Sequence, residues 1–364
     1  MVEYLLPIFS IIVGLAVLIA GGEALVRGAS ALAVTARISP LVVGLTVVAF
    51  GTSSPELAVS IQASLAGQAD IAIGNVVGSN ICNVLLILGL SAVVAPLVVS
   101  SRLIRFDVPV MIVVSCLLPL MALDLRIGRI DGALLFTAVV VYTAWLVVQS
   151  RRENKQIVDE FSGQLPGPPK AGWKTVLLQV GLIALGLALL AIGSRLLVQG
   201  ATAVARLLEL SELIVGLTIV AVGTSLPELV TSVVAALRGA RDIAVGNIVG
   251  SNIFNILAVL GLAAVLTPEG VAVSRSALLF DIPVMIAVAV ACLPIFFTGA
   301  TIARWEGFLF LAYYVFYTAY LVLSATGSPV ARTLGAVVLL YVVPLTVITL
   351  LVTVLASLRK RNGG

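Results

Sequence analysis

Gly51-Thr52-Ser53-Ser54-Pro55-Glu56-Leu57 recurs downstream as Gly223-Thr224-Ser225-Leu226-Pro227-Glu228-Leu229. Each copy sets a carboxylate, hydroxyls and a helix-breaking proline inside a long apolar run. An ionisable side chain at membrane depth is costly and marks a functional site by default. Two of them in matching places, each beside a proline, predict that Glu56 and Glu228 face each other across one buried cation site.

The apolar setting is general. Of 364 residues 61% are hydrophobic and only 10% charged, with a mean hydropathy of +1.21. A soluble domain carries roughly 25% charged residues, so the chain reads as an all-α polytopic membrane protein, its partner surface the lipid bilayer. The 21 basic residues are scattered through short loops rather than gathered in a patch, which gives no footprint for nucleic acid. There is no histidine, which removes Ser-His catalysis, HExxH zinc sites and histidine proton relays. With no GxSxG or paired-Asp motif either, an intramembrane hydrolase has nothing to work with, and the chain reads as no enzyme. A non-transporting scaffold is the other reading outside transport. Cys82, Cys116 and Cys292 lack metal-ligand spacing and read as small buried hydrophobes.

Apolar segments predict helices at about 4–26, 40–66, 70–98, 104–122, 130–149, 174–198, 212–237, 242–267, 279–298, 304–324 and 333–357. The first lacks a basic leader and is read as an uncleaved span. The hydrophilic run 150–173 reads as a cytoplasmic linker. It divides residues 1–149, a first five-helix repeat, from residues 174–324, a second; residues 325–364 supply an extra helix and a basic tail. Sliding the chain by 172 residues matches Gly51–Ser91 to Gly223–Ala263 with 25 identities in 41 positions. Phe106-Asp107-Val108-Pro109-Val110-Met111-Ile112 likewise echoes Phe280-Asp281-Ile282-Pro283-Val284-Met285-Ile286. Five spans per half make the second half enter from the opposite side, an inverted repeat, whose substrate site is expected near the midplane on broken helices. With the amino terminus outside, 15 of the 21 Lys and Arg are cytoplasmic, so that orientation, with the carboxyl terminus inside, is favoured.

Thr52, Ser53 and Glu56 share a helix face by their spacing of three and four. Pro55 has no N–H and clashes with the Gly51 carbonyl, so a kink with a freed carbonyl is expected there, and again at Pro227. On the next helix Asn75, Ser79 and Asn83 form one polar stripe, repeated as Asn247, Ser251 and Asn255. Gly74 and Gly78, with Gly246 and Gly250, are expected to permit close helix approach. Of the 17 acidic residues only Glu56 and Glu228 lie deep in a predicted span. Asp70 and Asp242 open helices; Asp107 and Asp281 read as helix caps; Glu23 and Arg195 read as snorkelling. Every candidate ligand is oxygen, which selects hard cations such as calcium or sodium over zinc, copper or iron. Two carboxylates would be neutralised by one calcium or two sodium ions. A loaded site could then change access while an empty, doubly charged one could not, which is the rule of an exchanger.

At these motifs, together with Gly74-Asn75-Val76-Val77-Gly78-Ser79-Asn80-Ile81 and its echo Gly246 to Ile253, the chain closely resembles the sodium/calcium exchanger family of the cation/calcium exchanger superfamily. The resemblance covers roughly residues 1–324, a ten-helix core, and leaves an eleventh, C-terminal helix outside it. It implies an electrogenic sodium-coupled calcium antiporter without a cofactor, its transported ions calcium and sodium, acting as a monomer in the cell membrane. It further implies calcium at Glu56, Glu228 and the carbonyls of Thr52 and Thr224. Sodium would be held by Ala49, Ser53, Ser79, Ala221, Ser225 and Ser251 with the two glutamates, and Asn83 and Asn255 would stand at the centre. It implies alternating access by sliding of helices one and six. Some relatives carry Asp where Asn255 stands, which here leaves two site carboxylates. A calcium/proton exchanger of the same fold is the alternative.

Overall fold

The computed structural model describes residues 2–160, 172–208, 212–215, 218–219, 221–297 and 300–348. Helices dominate: α1 (Val2–Ala36), the bent α2 (Pro40–Thr52 and Ser54–Leu65), α3 (Ala69–Val94) and α4 (Leu103–Met121), α5 (Arg129–Glu160) and α6 (Trp173–Leu207). Then follow the interrupted α7 (Glu212–Val215, Ala221–Gly223 and Leu226–Leu237), α8 (Arg241–Leu266), α9 (Ala277–Phe297), α10 (Arg304–Ala325) and α11 (Val330–Ile348). Among the described residues nine helices are long and apolar enough to cross a bilayer, or ten if the bent α2 counts as one span. The chain is a multi-pass membrane protein.

Two helices outrun their apolar stretches. The first continues from the expected end near residue 26 to Ala36, and α5 runs on to Glu160, through the start of the expected linker. The first extension is rich in Ala, the second in Arg, Glu, Lys and Gln, and neither contains proline, so propensity carries the helix beyond the hydrophobic run. Residues 161–171 of that linker, and 349–364 with the end of the eleventh expected helix, lie outside the described residues. Cys82 and Cys292 are buried as expected, but Cys116 is exposed. It sits on the outer side of α4, where an apolar thiol is at home against lipid.

Four two-residue strands tie the halves together. β1 (Leu97–Val98), after α3, pairs antiparallel with β4 (Thr301–Ile302), after α9. β2 (Arg126–Ile127), after α4, pairs with β3 (Val271–Ala272), after α8. The α3–α4 and α9–α10 connections therefore share one end of the bundle. The α4–α5 and α8–α9 connections share the other, one helix length away.

α1 and α6 lie against each other along most of their length, through glycines repeated every seven residues. A Cβ on Gly21 would stand 2.8 Å from the Leu190 nitrogen and 3.0 Å from the Gly186 carbonyl, and one on Gly186 would meet Leu25 and Gly21 just as tightly. Hydrogen at these positions lets the backbones touch, which is how helices gain dispersion contact in lipid. Glu23 of α1, expected to snorkel alone, is instead forked by Arg238 at the end of α7 (2.7 and 2.9 Å) and also pairs with Arg27. Asp107 and Asp281 are not caps. Helix runs through both positions, and their carboxylates accept from the Tyr142 hydroxyl (2.9 Å) and the Tyr317 hydroxyl (3.1 Å). The proline two residues later begins no new helix there, because helical geometry is already set one turn earlier.

The α1–α6 packing predicts that Gly21→Val lowers stability by about 1–3 kcal/mol, the cost of overpacking a close contact. Thermal unfolding in detergent checks this, and an unchanged midpoint would mean that the helices have room to spare.

Candidate functional site

Both proline-bearing helices break just ahead of the proline. α2 bends by 44° between Thr52 and Ser54, and α7 is interrupted by a turn at Thr224–Ser225 before resuming at Leu226. Each break places a hydroxyl-bearing turn directly ahead of the proline. It also sets the glutamate in the first turn of the following helix segment. Glu56 and Glu228 are 0% and 1% exposed, so both carboxylates are in the protein interior and not against lipid.

The halves then exchange hydroxyls. Ser53 donates to Glu228 Oε1 at 3.0 Å, and Ser225 donates to Glu56 Oε1 at 3.3 Å. Ser225 Oγ also lies 3.3 Å from Ser79 Oγ of α3. The Thr52 hydroxyl stands 3.1 Å from Asn247 Oδ1 of α8, and the Thr224 hydroxyl 3.5 Å from Asn75 Oδ1 of α3. Both asparagines spend their amide hydrogens on the broken helices. Asn75 donates to the Glu56 carbonyl (3.0 Å) and Ser60 (2.9 Å); Asn247 donates to the Glu228 carbonyl (3.4 Å) and Ser232 (3.0 Å). Of the polar stripe read on α3, then, Asn75 braces the glutamate's backbone, whereas Ser79 and Asn83 continue toward the centre. The same division holds for Asn247 against Ser251 and Asn255 on α8.

What remains unpaired is almost all acceptor. Among the described residues, Glu56 Oε2, Glu228 Oε2, Asn83 Oδ1, Asn255 Oδ1 and Ser251 Oγ are buried with no hydrogen-bond partner. Neither glutamate has an ion-pair partner among the described residues. Buried polar atoms are rarely left so. A cluster of bare carboxylate and amide oxygens with no cationic side chain is a donor set that would suit a hard cation rather than a soft one. Ala49 is buried, and its carbonyl accepts from the Ser53 N–H at 3.0 Å and from the Thr52 hydroxyl at 3.4 Å. The side chain of Ala221 lies outside what is described.

The structure also brings in residues that spacing did not single out. Asn80 and Asn252, one residue beyond Ser79 and Ser251, are 3% and 2% exposed and join the central amides: Asn83 Nδ2 donates to Asn252 Oδ1 (3.2 Å) and Asn255 Nδ2 to Asn80 Oδ1 (3.0 Å). The signal lay in the repeated Gly-Ser-Asn-Ile-x-Asn, where the two asparagines are three apart and so share a face. At Asn83 and at Asn255 the helix widens into a π-helical turn, 83–88 and 255–260, a distortion common at functional sites. The close approach expected of Gly246 and Gly250 is present, against Leu41 and Leu45 of α2. At Gly74 and Gly78 no described atom lies within 4 Å of where a Cβ would stand. The α7 stretch that repeat symmetry would bring there contains residues outside the described ones.

A family model described as sodium/calcium exchanger protein matches residues 6–148 and 178–323. The chain is 34% identical to the sodium/calcium exchanger MaX1 of Methanosarcina acetivorans, over 84% of its own length and 95% of the relative's. It is 42% identical to the inner membrane protein YrbG of Escherichia coli, over 71% and 79% respectively. Among solved structures, one of the sodium-calcium exchanger NCX_Mj superposes with a TM-score of 0.74 at 31% identity, covering 87% of this chain and 99% of that one.

Asn247 holds three groups at once, so Asn247→Leu is expected to cost about 1–3 kcal/mol through the polar groups it strands. The loss is measured by thermal unfolding; a variant as stable as the parent would mean that these bonds do not brace the site.

Proposed function

The chain belongs to the sodium/calcium exchanger protein family, and we propose that it works as an electrogenic, sodium-coupled calcium antiporter. Calcium and sodium compete for one site between Glu56 and Glu228, near the bilayer midplane. The observation that carries this reading is the reciprocal pair of serines: each half supplies a hydroxyl to the other half's glutamate, and each glutamate keeps one bare oxygen. Calcium takes 6–8 oxygens in a flexible shell. Glu56, Glu228 and the carbonyls of Thr52 and Thr224 supply its inner set. Ala49, Ser53, Ser79, Ala221, Ser225 and Ser251 extend that set with oxygens for sodium, and Asn83 and Asn255 close the centre. One chain contributes both glutamates, so a monomer completes the site.

Coupling follows from charge. Two ionised carboxylates facing each other in a low-dielectric interior cost several kcal/mol unless cations neutralise them. The loaded protein can therefore pass between access states, while the empty one is held at either face with water reaching the site. The strand pairings support an inverted repeat, because the α3–α4 connection and its repeat counterpart, α8–α9, lie at opposite ends of the bundle. The glycine-lined contact supports α1 and α6 moving as one body past the rest. The excess of Lys and Arg on one side supports an external amino terminus and a cytoplasmic carboxyl terminus. α11 lies outside the ten-helix core as peripheral packing, touching α10 through Tyr313 and Thr346.

The test is calcium uptake into vesicles under an outward sodium gradient. Uptake is expected to follow the sodium gradient and to respond to membrane voltage, and Glu56→Gln is expected to reduce it to background. Uptake that ignores sodium and follows a pH gradient instead would replace this reading with calcium/proton exchange. Asn255→Asp adds a third carboxylate, so calcium flux should become more sensitive to protons; an unchanged pH profile would mean that position 255 does not face the ions.

A further inference from the structure

The repeated Asp-x-Pro-Val-Met motif of α4 and α9 is not explained by the glutamate cage, yet its methionines reach the middle of the protein. Met111 and Met285 are 1% and 2% exposed. Asn252 Nδ2 stands 3.4 Å from Met111 Sδ, and Asn80 Nδ2 stands 3.6 Å from Met285 Sδ and 3.2 Å from the Asn252 carbonyl. In each case the contact crosses from one repeat to the other.

A thioether and a carbonyl have lone pairs and no hydrogen. Whatever faces them must be a donor. They therefore fix which end of the Asn80 and Asn252 amides is NH2 and turn both Oδ1 atoms the other way. Those oxygens in turn accept only donors, and they receive Asn255 Nδ2 and Asn83 Nδ2. The direction of the whole chain is set at its sulfur ends. Its last consequence is that Asn83 and Asn255 present Oδ1, not NH2, as their unpaired atom. Asn83 lies one turn along α3 from Ser79, which touches Ser225 and through it Glu56. An amide turned the other way would put two hydrogens where a cation needs an oxygen.

We propose that Asn80 and Asn252, anchored by the thioethers of Met285 and Met111, are positioning residues that hold Asn255 and Asn83 oxygen-first toward the transported cation. The inference rests on the cation-site reading of the glutamate cage. It gives the second asparagine of each repeat and the methionine of the Asp-x-Pro-Val-Met motif a shared role, which is to set amide polarity.

The experiment measures the half-saturating calcium concentration for sodium-driven uptake by the full chain in vesicles. It compares the parent, Asn80→Ala, Asn255→Asp and the double variant. With Asn255 present, Asn80→Ala is expected to raise half-saturation by about 10–100-fold, the usual effect of losing a group that orients a metal ligand. With Asp at 255 both ends are oxygen, so orientation no longer matters. Asn80→Ala should then have little effect, or improve binding by removing an oxygen that opposes the new carboxylate. A purely structural Asn80 would weaken both backgrounds by the same factor, and that result overturns the inference. If Asn255→Asp alone changes neither calcium half-saturation nor pH dependence, the cation-site reading of that position has failed and this inference with it. Should Asn80→Ala protein not reach the membrane, Asn252→Ala with and without Asn83→Asp makes the same comparison in the other half. There too, a loss confined to the asparagine background supports the inference, and an equal loss in both backgrounds overturns it.

Discussion

Two carboxylates buried in an apolar protein, with no Lys or Arg beside them among the described residues, are the constraint from which the rest follows. Burial of an ionised group costs several kcal/mol even after relaxation, and hydrogen bonds from Ser53 and Ser225 satisfy only half of the oxygens. The remaining oxygens have no hydrogen-bond partner among the described residues. A protein that supplied one permanently would have placed an arginine there. This one surrounds the pair with hydroxyls and amide oxygens, groups that can hold a mobile cation and release it.

The surroundings are arranged to keep that cluster acceptor-rich. Asn75 and Asn247 take the backbone carbonyls of the two glutamates, which pins the helix breaks. Asn80 and Asn252 take the amide hydrogens of Asn255 and Asn83. Donors are thus drawn outward and acceptors left inward, layer by layer. The α1–α6 pair is joined through backbone-to-backbone contact at glycines, and is tied to the core by Glu23 with Arg238 and by Ser194, whose hydroxyl donates to the Gly223 carbonyl at 2.7 Å.

Much of this was legible in the sequence because the decisive residues are chemically out of place. Glu56 and Glu228 in apolar runs, each next to a proline, announced buried charge on broken helices, and internal repetition announced two halves. Spacing went less far wherever a partner came from elsewhere in the chain. Asp107 looked like a cap because a proline follows two residues later; only the fold brings Tyr142, 35 positions away, against it. Asn75 looked like one more member of the polar stripe, because helical periodicity does not reveal that its amide donates to the Glu56 carbonyl and to Ser60. Helix ends at Ala36 and Glu160 ran past the hydrophobic signal because backbone propensity, not burial, sustains those turns. Met111 and Met285 were visible only as members of a repeated motif, and nothing in a thioether marks it as the end of a hydrogen-bond chain.

The most direct measurement is anomalous diffraction from crystals soaked in strontium, a stand-in for calcium with the same preference for oxygen. The account predicts one strong peak in contact with carboxylate oxygens of both Glu56 and Glu228, lost when sodium is raised and absent from Glu56→Gln crystals. A peak bound elsewhere, or none between the glutamates in a protein that transports calcium, would contradict it.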